Sequence, residues 1–119
     1  MDFYVDLPKA GTIENYSTDK RFKAFIMIEV LEHLLNAKAA LSTMNKLAQP
    51  PALLFGTTPN IESEYWDKMR NIYDPNDHIF LFSMKSIQIL LSDLGYKSLT
   101  YEYFGGDSEN AHILFSGVL

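Results

Sequence analysis

Two short apolar runs, separated by one amphipathic segment, constrain the fold of this chain more than any other feature. The runs are RFKAFIMI at residues 21–28 and PALLFG at residues 51–56. Short continuous runs of this kind predict strands, and we expect the first to be buried on both faces. Between them, Leu31 to about Ala48 keeps a near-helical apolar period, and the sequence QPP ends it. The pattern therefore predicts a β-α-β unit with parallel strands.

The remaining segments predict one more helix and two more strands. SMKSIQILLSDLGY is amphipathic, with Ser83 or Ser86 as candidate N-cap and Gly95 as the stop. SLTYEYFGG alternates as a half-buried strand, and AHILFSGVL predicts a final strand antiparallel to it. Residues 61–77 indicate a loop or short helix. We therefore expect a single α/β domain over residues 1–119, ordered β-α-β-α-β-β, with an antiparallel C-terminal strand pair.

Composition excludes several classes of function. At 119 residues, 47% hydrophobic and 13% aromatic, the chain is long and apolar enough for one globular domain. A net charge of -5 gives no general field for phosphates, so nucleic-acid binding is not expected. The absence of cysteine excludes disulfides, thiolate metal sites and a cysteine nucleophile. No signal peptide and no apolar run near ~20 residues is present, so we expect a soluble, cytoplasmic protein without membrane contact.

The segment EVLEHLL follows the first strand directly and concentrates polar chemistry there. Glu29, Glu32 and His33 are related by i, i+3 and i+4, so a helix starting here would place them on one face. His78, in the loop after the second strand, can reach the same carboxyl edge of a parallel sheet. One interpretation is a cation or substrate-hydroxyl site. The other is structural: Glu29 caps the helix, Glu32 is exposed and His78 caps a loop.

Two further features have structural interpretations. Thr-Thr-Pro-Asn at residues 57–60 is a good turn sequence, which could also shape the rim of a pocket. His112 lies inside the final strand, and we interpret it as structural.

The predicted elements carry, in order, EVLEH, TTPN and a downstream DH and FS. With these motifs at this spacing, the chain resembles the C-terminal half of a class I S-adenosylmethionine-dependent methyltransferase. The similarity covers about residues 20–119. Within that superfamily the chain looks most like O-methyltransferases with a Glu-x-x-Glu-His motif, as in ubiquinone-biosynthesis and small-RNA 2′-O-methyltransferases. The resemblance implies a partial Rossmann-like sheet, S-adenosylmethionine as cofactor and methyl transfer to an acceptor oxygen, which we expect to belong to a small molecule.

The resemblance also implies roles for individual residues. A divalent cation (Mg²⁺, Mn²⁺ or Zn²⁺) would lower the pKa of the acceptor hydroxyl, or a histidine would act as general base without metal. Aromatic residues of the 61–77 segment would cover the substrate, although packing is the commoner role of such residues. The implied metal ligands are Glu29, Glu32, His33 and His78, and the implied general bases are His33 and His78. The implied cofactor contacts are Asp6, Ile28 and Glu29. The aromatic residues implied to cover the substrate are Tyr65, Trp66 and Tyr73.

The chain also departs from this family pattern. None of its six glycines forms Gly-x-Gly-x-x-Gly, and only about 20 residues precede the first strand, where two β-α-β units of ~30 residues each would be needed. We therefore expect a truncated methyltransferase that is catalytically incomplete alone. The alternative is a non-catalytic protein of methyltransferase ancestry that forms a homo-oligomer or binds a partner through its open sheet edge.

Overall fold

The computed structural model describes residues 13, 16–64, 82–105 and 110–119. Within them the sheet has the strand order β1-β2-β4-β3, with β1 and β2 parallel and the other two pairs antiparallel. The predicted α/β order and the antiparallel C-terminal pair are confirmed. Interpretations placed on Asp6, Tyr65, Trp66, Tyr73 and His78 lie outside the described residues. The elements are β1 (Phe22–Ile28), a 3₁₀ turn (Leu31–His33), α1 (Ala37–Asn45), β2 (Ala48–Pro59), α2 (Met84–Asp93), β3 (Lys97–Phe104) and β4 (His112–Val118).

The hydrophobic core lies on one face of the sheet, which we call the inner face. Alternate strand residues point to this face, and both helices pack against them. Gly56 of β2 sits directly beneath the buried ring of Phe115. The core joins Met27, Leu54, Ile113 and Phe115 of the sheet to Leu41 and Met44 of α1 and Ile87 and Leu91 of α2.

Strand β1 is confirmed, but the expectation that both of its faces are buried is wrong. Met27 points to the inner face and is buried, whereas Ile26 and Ile28 point to the opposite, outer face and are 71% and 54% exposed. The reason is that α1 and α2 both pack on the inner face. An apolar run alone cannot reveal which of its faces a helix will cover.

The predicted helix over Leu31–Ala48 is interrupted. Leu34 is extended (φ -81°, ψ 128°), so the 3₁₀ turn ends there and a separate helix, α1, begins at Ala37. The Asn36 side chain accepts a hydrogen bond from the Ala39 N–H at 3.0 Å, which gives α1 its N-cap. This local cap places the start of α1 six residues later than the apolar period predicts. At the other end, β2 begins at Ala48, so QPP belongs to the strand.

Helix α2 begins and ends where the sequence predicts. The Ser83 hydroxyl accepts from the Ser86 N–H at 3.1 Å, and the Ser86 hydroxyl accepts from the Ser83 N–H at 2.9 Å, which completes a capping box. Gly95 follows the helix with φ +90°, a conformation that favours glycine. Across the residues that the structure describes, every helix is too short or too polar to cross a membrane.

Candidate functional site

The chain turns sharply after β1. Glu29 adopts φ +54°, and its N–H donates to the Thr57 carbonyl of β2 at 3.0 Å. It therefore belongs to the strand end and not to a helix, while Glu32 and His33 lie on the 3₁₀ turn that follows. The common helix face predicted for these three residues is wrong. They gather at the carboxyl edge of the sheet through the strand end and the turn.

Two consecutive threonines of β2 hold the two carboxylates. The Thr57 hydroxyl donates to Oε1 of Glu29 at 3.4 Å, and the Thr58 hydroxyl donates to Oε2 of Glu32 at 2.9 Å. Because neighbouring strand residues point to opposite faces, Glu29 lies on the outer side of the sheet edge and Glu32 on the inner side. The interpretation of Thr57–Pro59 as a turn is wrong, since these residues pair with β4 as part of β2.

The turn itself begins at Asn60, which is buried at the rim of the site. Its side-chain amide donates to the Asn110 carbonyl at 2.9 Å, and its Oδ1 accepts from the Glu62 N–H at 3.1 Å. Asn60 therefore ties the end of β2 to the chain entering β4.

Glu32 is buried, with 3% of its surface exposed. Burial raises the pKa of the Glu32 carboxyl, and the nearby Glu29 carboxylate adds to the increase. Hydrogen bonds from its own backbone N–H and from Thr58, together with nearby His33, act in the opposite direction without overcoming burial. The structural alternative, with Glu32 exposed and Glu29 capping a helix, is wrong on both counts. The N-cap positions are occupied by Val30 and Asn36.

A histidine lies beside each carboxylate. Nε2 of His33 is 3.7 Å from Oε1 of Glu32, and the His33 side chain is 56% exposed. Nδ1 of His112 is 2.8 Å from Oε1 of Glu29. The His112 ring also stacks on Phe104, with centroids 5.3 Å apart. The structure thus places His112 against the candidate site as well as inside its strand.

The position of His112 beside Glu29 is not predictable from the sequence alone. The signal needed is the strand order: β4 runs antiparallel beside β2, so its first residue lies at the carboxyl edge of the β1-β2 pair. The spacing of residues along the chain does not reveal the order of the strands in the sheet.

The cofactor and the metal can be tested against the residues present. Within the described ranges, no group of three or more His, Asp or Glu side chains is placed to hold one metal ion. Two of the residues expected to complete the sites, His78 and Asp6, lie outside those ranges. The described residues also contain no Gly-rich turn between a strand and a helix N-terminus, the usual cradle of a nucleotide cofactor. Neither group fits the described residues by themselves.

Comparison with known proteins places the fold in a family. A family model described as a methyltransferase domain matches residues 5–101, which is most of the chain. The chain belongs to the methyltransferase domain family. No curated protein sequence matches it.

Solved methyltransferases have a similar fold. A possible histamine N-methyltransferase from Thermotoga maritima has a TM-score of 0.69 at 15% identity, and the alignment covers 91% of this chain and 61% of that one. The carbon methyltransferase CurJ has a TM-score of 0.62 at 14% identity, with 82% and 29% covered. A small RNA methyltransferase has a TM-score of 0.67 at 21% identity, with 90% and 15% covered. This chain therefore spans 61% or less of the length of each of the three.

Proposed function

We propose that this chain is the acceptor-binding part of an S-adenosylmethionine-dependent methyltransferase that transfers a methyl group to an oxygen of a small molecule. The observation that carries the proposal is the pair Glu29 and Glu32, held by Thr57 and Thr58 at the carboxyl edge of a parallel strand pair. Membership of the methyltransferase domain family supports methyl transfer. The edge beyond parallel strand ends is where open α/β sheets bind their ligands.

The chemistry of the edge residues suits an acceptor hydroxyl. The Glu29 side chain is 37% exposed, so it can still accept a hydrogen bond from a bound hydroxyl. Buried Glu32 holds the turn that presents His33 to solvent. In this proposal the His33 imidazole takes the hydroxyl proton, with His78 as the second candidate base. A neutral imidazole is suited to this role near neutral pH.

A metal and the methyl donor would use overlapping residues. A divalent cation would take Glu29, Glu32, His33 and His78 as ligands, and S-adenosylmethionine, which supplies the methyl group when bound, would contact Asp6, Ile28 and Glu29. The described residues by themselves complete neither the cation site nor the cofactor site. The acceptor-side roles above stand without them.

The proposal includes the absence of a donor-binding half from these 119 residues. Each of the three solved methyltransferases has additional chain with no counterpart here. Together with the missing Gly-rich turn, this supports a single domain, residues 1–119, that forms the C-terminal portion of a methyltransferase fold.

The test is methyl transfer by the native gene product, whose intact mass shows whether it carries further residues. S-adenosylmethionine is supplied with a phenol, an aliphatic amine and a short RNA, and S-adenosylhomocysteine and methylated products are measured by mass spectrometry. We expect O-methylation of the phenol, greatly reduced by Glu29→Gln and unchanged by Glu102→Gln on exposed β3. Methylation at nitrogen or carbon alone would contradict the oxygen specificity. For a gene product that carries further residues, absence of S-adenosylhomocysteine with all acceptors would contradict the transferase.

A further inference from the structure

We propose that His112 is a positioning residue for the transferase: it holds one oxygen of the Glu29 carboxylate, so that the other oxygen is presented to the acceptor hydroxyl. This inference rests on the proposed function and adds to it a residue from outside the β1-β2 pair. His112 is the first residue of β4, and it pairs with Phe104 of β3 on one side and with Pro59 of β2 on the other. Its main chain is therefore fixed at the carboxyl edge of the sheet.

The two oxygens of the Glu29 carboxylate have different surroundings. Nδ1 of His112 lies 2.8 Å from Oε1, and the Thr57 hydroxyl donates to the same oxygen at 3.4 Å. Among the described residues no hydrogen bond reaches Oε2, and the Glu29 side chain is 37% exposed. Each carboxylate oxygen offers about two lone pairs. The contacts from His112 and Thr57 can therefore occupy Oε1 and leave Oε2 for a ligand.

The 2.8 Å separation also indicates which ring nitrogen of His112 carries a proton. Two lone pairs facing each other at this distance would repel, so the proton is on Nδ1, beside the carboxylate. Both the neutral Nδ1–H tautomer and the imidazolium carry this proton. The contact with Glu29 is therefore attractive in either charge state of the ring.

The imidazole of His112 is itself held in place. Its ring stacks on Phe104 with an interplanar angle of 26°, and a Cβ added at Gly105 would lie 3.0 Å from its Cδ2. The His112 side chain is 27% exposed, against 56% for His33 at the other carboxylate. A carboxylate fixed by such a neighbour accepts the acceptor O–H in one orientation, and orientation of this kind contributes directly to rate.

The first test measures the contact in the full chain without ligand. The side-chain carboxyl ¹³C resonance of Glu29, assigned with Glu29→Gln, is compared in wild type, His112→Leu and His112→Asn. The amide nitrogen of His112→Asn lies close to the position of Nδ1, whereas His112→Leu has no donor. We expect the resonance to move in His112→Leu and to stay near its wild-type position in His112→Asn.

The matched control for this test is Ser116→Ala on the same strand. The Ser116 hydroxyl is bonded to that of Thr100, so its removal should leave the Glu29 resonance unchanged. Circular dichroism verifies that each variant is folded. An unchanged resonance in His112→Leu, or an equal displacement in both His112 variants, would overturn the proposal.

The second test uses the native gene product with S-adenosylmethionine and the phenol. We expect His112→Leu to raise KM for the phenol about tenfold or more, as the loss of a hydrogen bond to a charged group does. His112→Asn should recover most of this loss. A variant that only folded less well would lower kcat at unchanged KM, because fewer active molecules would be present. That pattern in His112→Leu would overturn the positioning role. The Glu29 resonance does not depend on methyl transfer, so failure of the transferase and failure of the His112 contact are distinguishable.

Discussion

Burial opposes the ionisation of Glu32, and this gives the residue a measurable effect on stability. Its pKa in the folded state is raised above the usual value of 4.5. The contribution of protonated Glu32 to stability is therefore present at pH below that value and is lost as pH rises through the folded-state pKa. Glutamine at position 32 would be neutral at every pH, so it would avoid this loss, and its amide oxygen could still accept the hydrogen bond from Thr58.

We expect Glu32→Gln to gain stability relative to wild type as pH rises from about 4 to about 8. Urea unfolding at several pH values measures the difference. The control is Glu102→Gln, which removes the same charge from an exposed position of β3. The free energy of unfolding of Glu32→Gln minus that of wild type should therefore rise with pH. If this difference is constant or falls over the range, burial does not determine the pKa of the Glu32 carboxyl.

Gly56 is required by close packing. A Cβ added there would lie 2.5 Å from the ζ carbon of Phe115 and 2.7 Å from the Met27 carbonyl oxygen. We expect Gly56→Ala to lower the free energy of unfolding by about 1–3 kcal/mol, as overpacked cores do. Adding Phe115→Leu should not restore stability, because the backbone contact with Met27 remains and Phe115 is itself a core residue. If the free energy of unfolding of Gly56→Ala lies within about 0.5 kcal/mol of the wild-type value, the packing described here is contradicted.

At the scale of elements, the sequence predicts best where local chemistry determines a boundary. The α2 start follows from Ser83 and Ser86, because a capping box is made within four residues. The break before α1 is harder to predict, because Asn36 competes with an apolar period that continues through it. The exposure of Ile26 is harder still, since it depends on which side of the sheet both helices pack.

The capping box of α2 gives a prediction at this scale. Ser83→Ala removes the hydroxyl that accepts from the Ser86 N–H, and we expect a loss of about 1 kcal/mol in stability. Ser83→Gly should cost only a few tenths of a kcal/mol. Thermal unfolding compares both with Ser92→Ala, an exposed change near the end of the same helix. Equal losses for Ser83→Ala and Ser92→Ala would show that the cap contributes nothing specific.

At the scale of the whole molecule, the candidate site depends on how the strands are ordered. The EVLEH motif predicts that Glu29 and Glu32 share a helix face, which is wrong, because Glu29 follows β1 directly and Glu32 lies on the 3₁₀ turn. Thr57 and Thr58 of β2 donate to the two carboxylates, and His112 of β4 lies beside Glu29. A motif within five positions can suggest a site, whereas the side chains that contact its carboxylates come from strands 26 residues or more away. Those partners become predictable only once the sheet order is known.

The last prediction concerns binding of the methyl donor by the isolated 119-residue chain. Rossmann-like folds hold such cofactors on a Gly-rich turn at a helix N-terminus and on an acid after the second strand. The sequence contains no Gly-x-Gly-x-x-Gly, and the described residues contain no Gly-rich turn between a strand and a helix N-terminus. We therefore expect isothermal titration with S-adenosylmethionine to show no saturable binding at micromolar concentrations. The possible histamine N-methyltransferase from Thermotoga maritima, titrated in the same buffer, is the positive control. Saturable micromolar binding to this chain, lost in Glu29→Gln, would contradict the prediction and show that the acidic edge holds the donor without a Gly-rich turn.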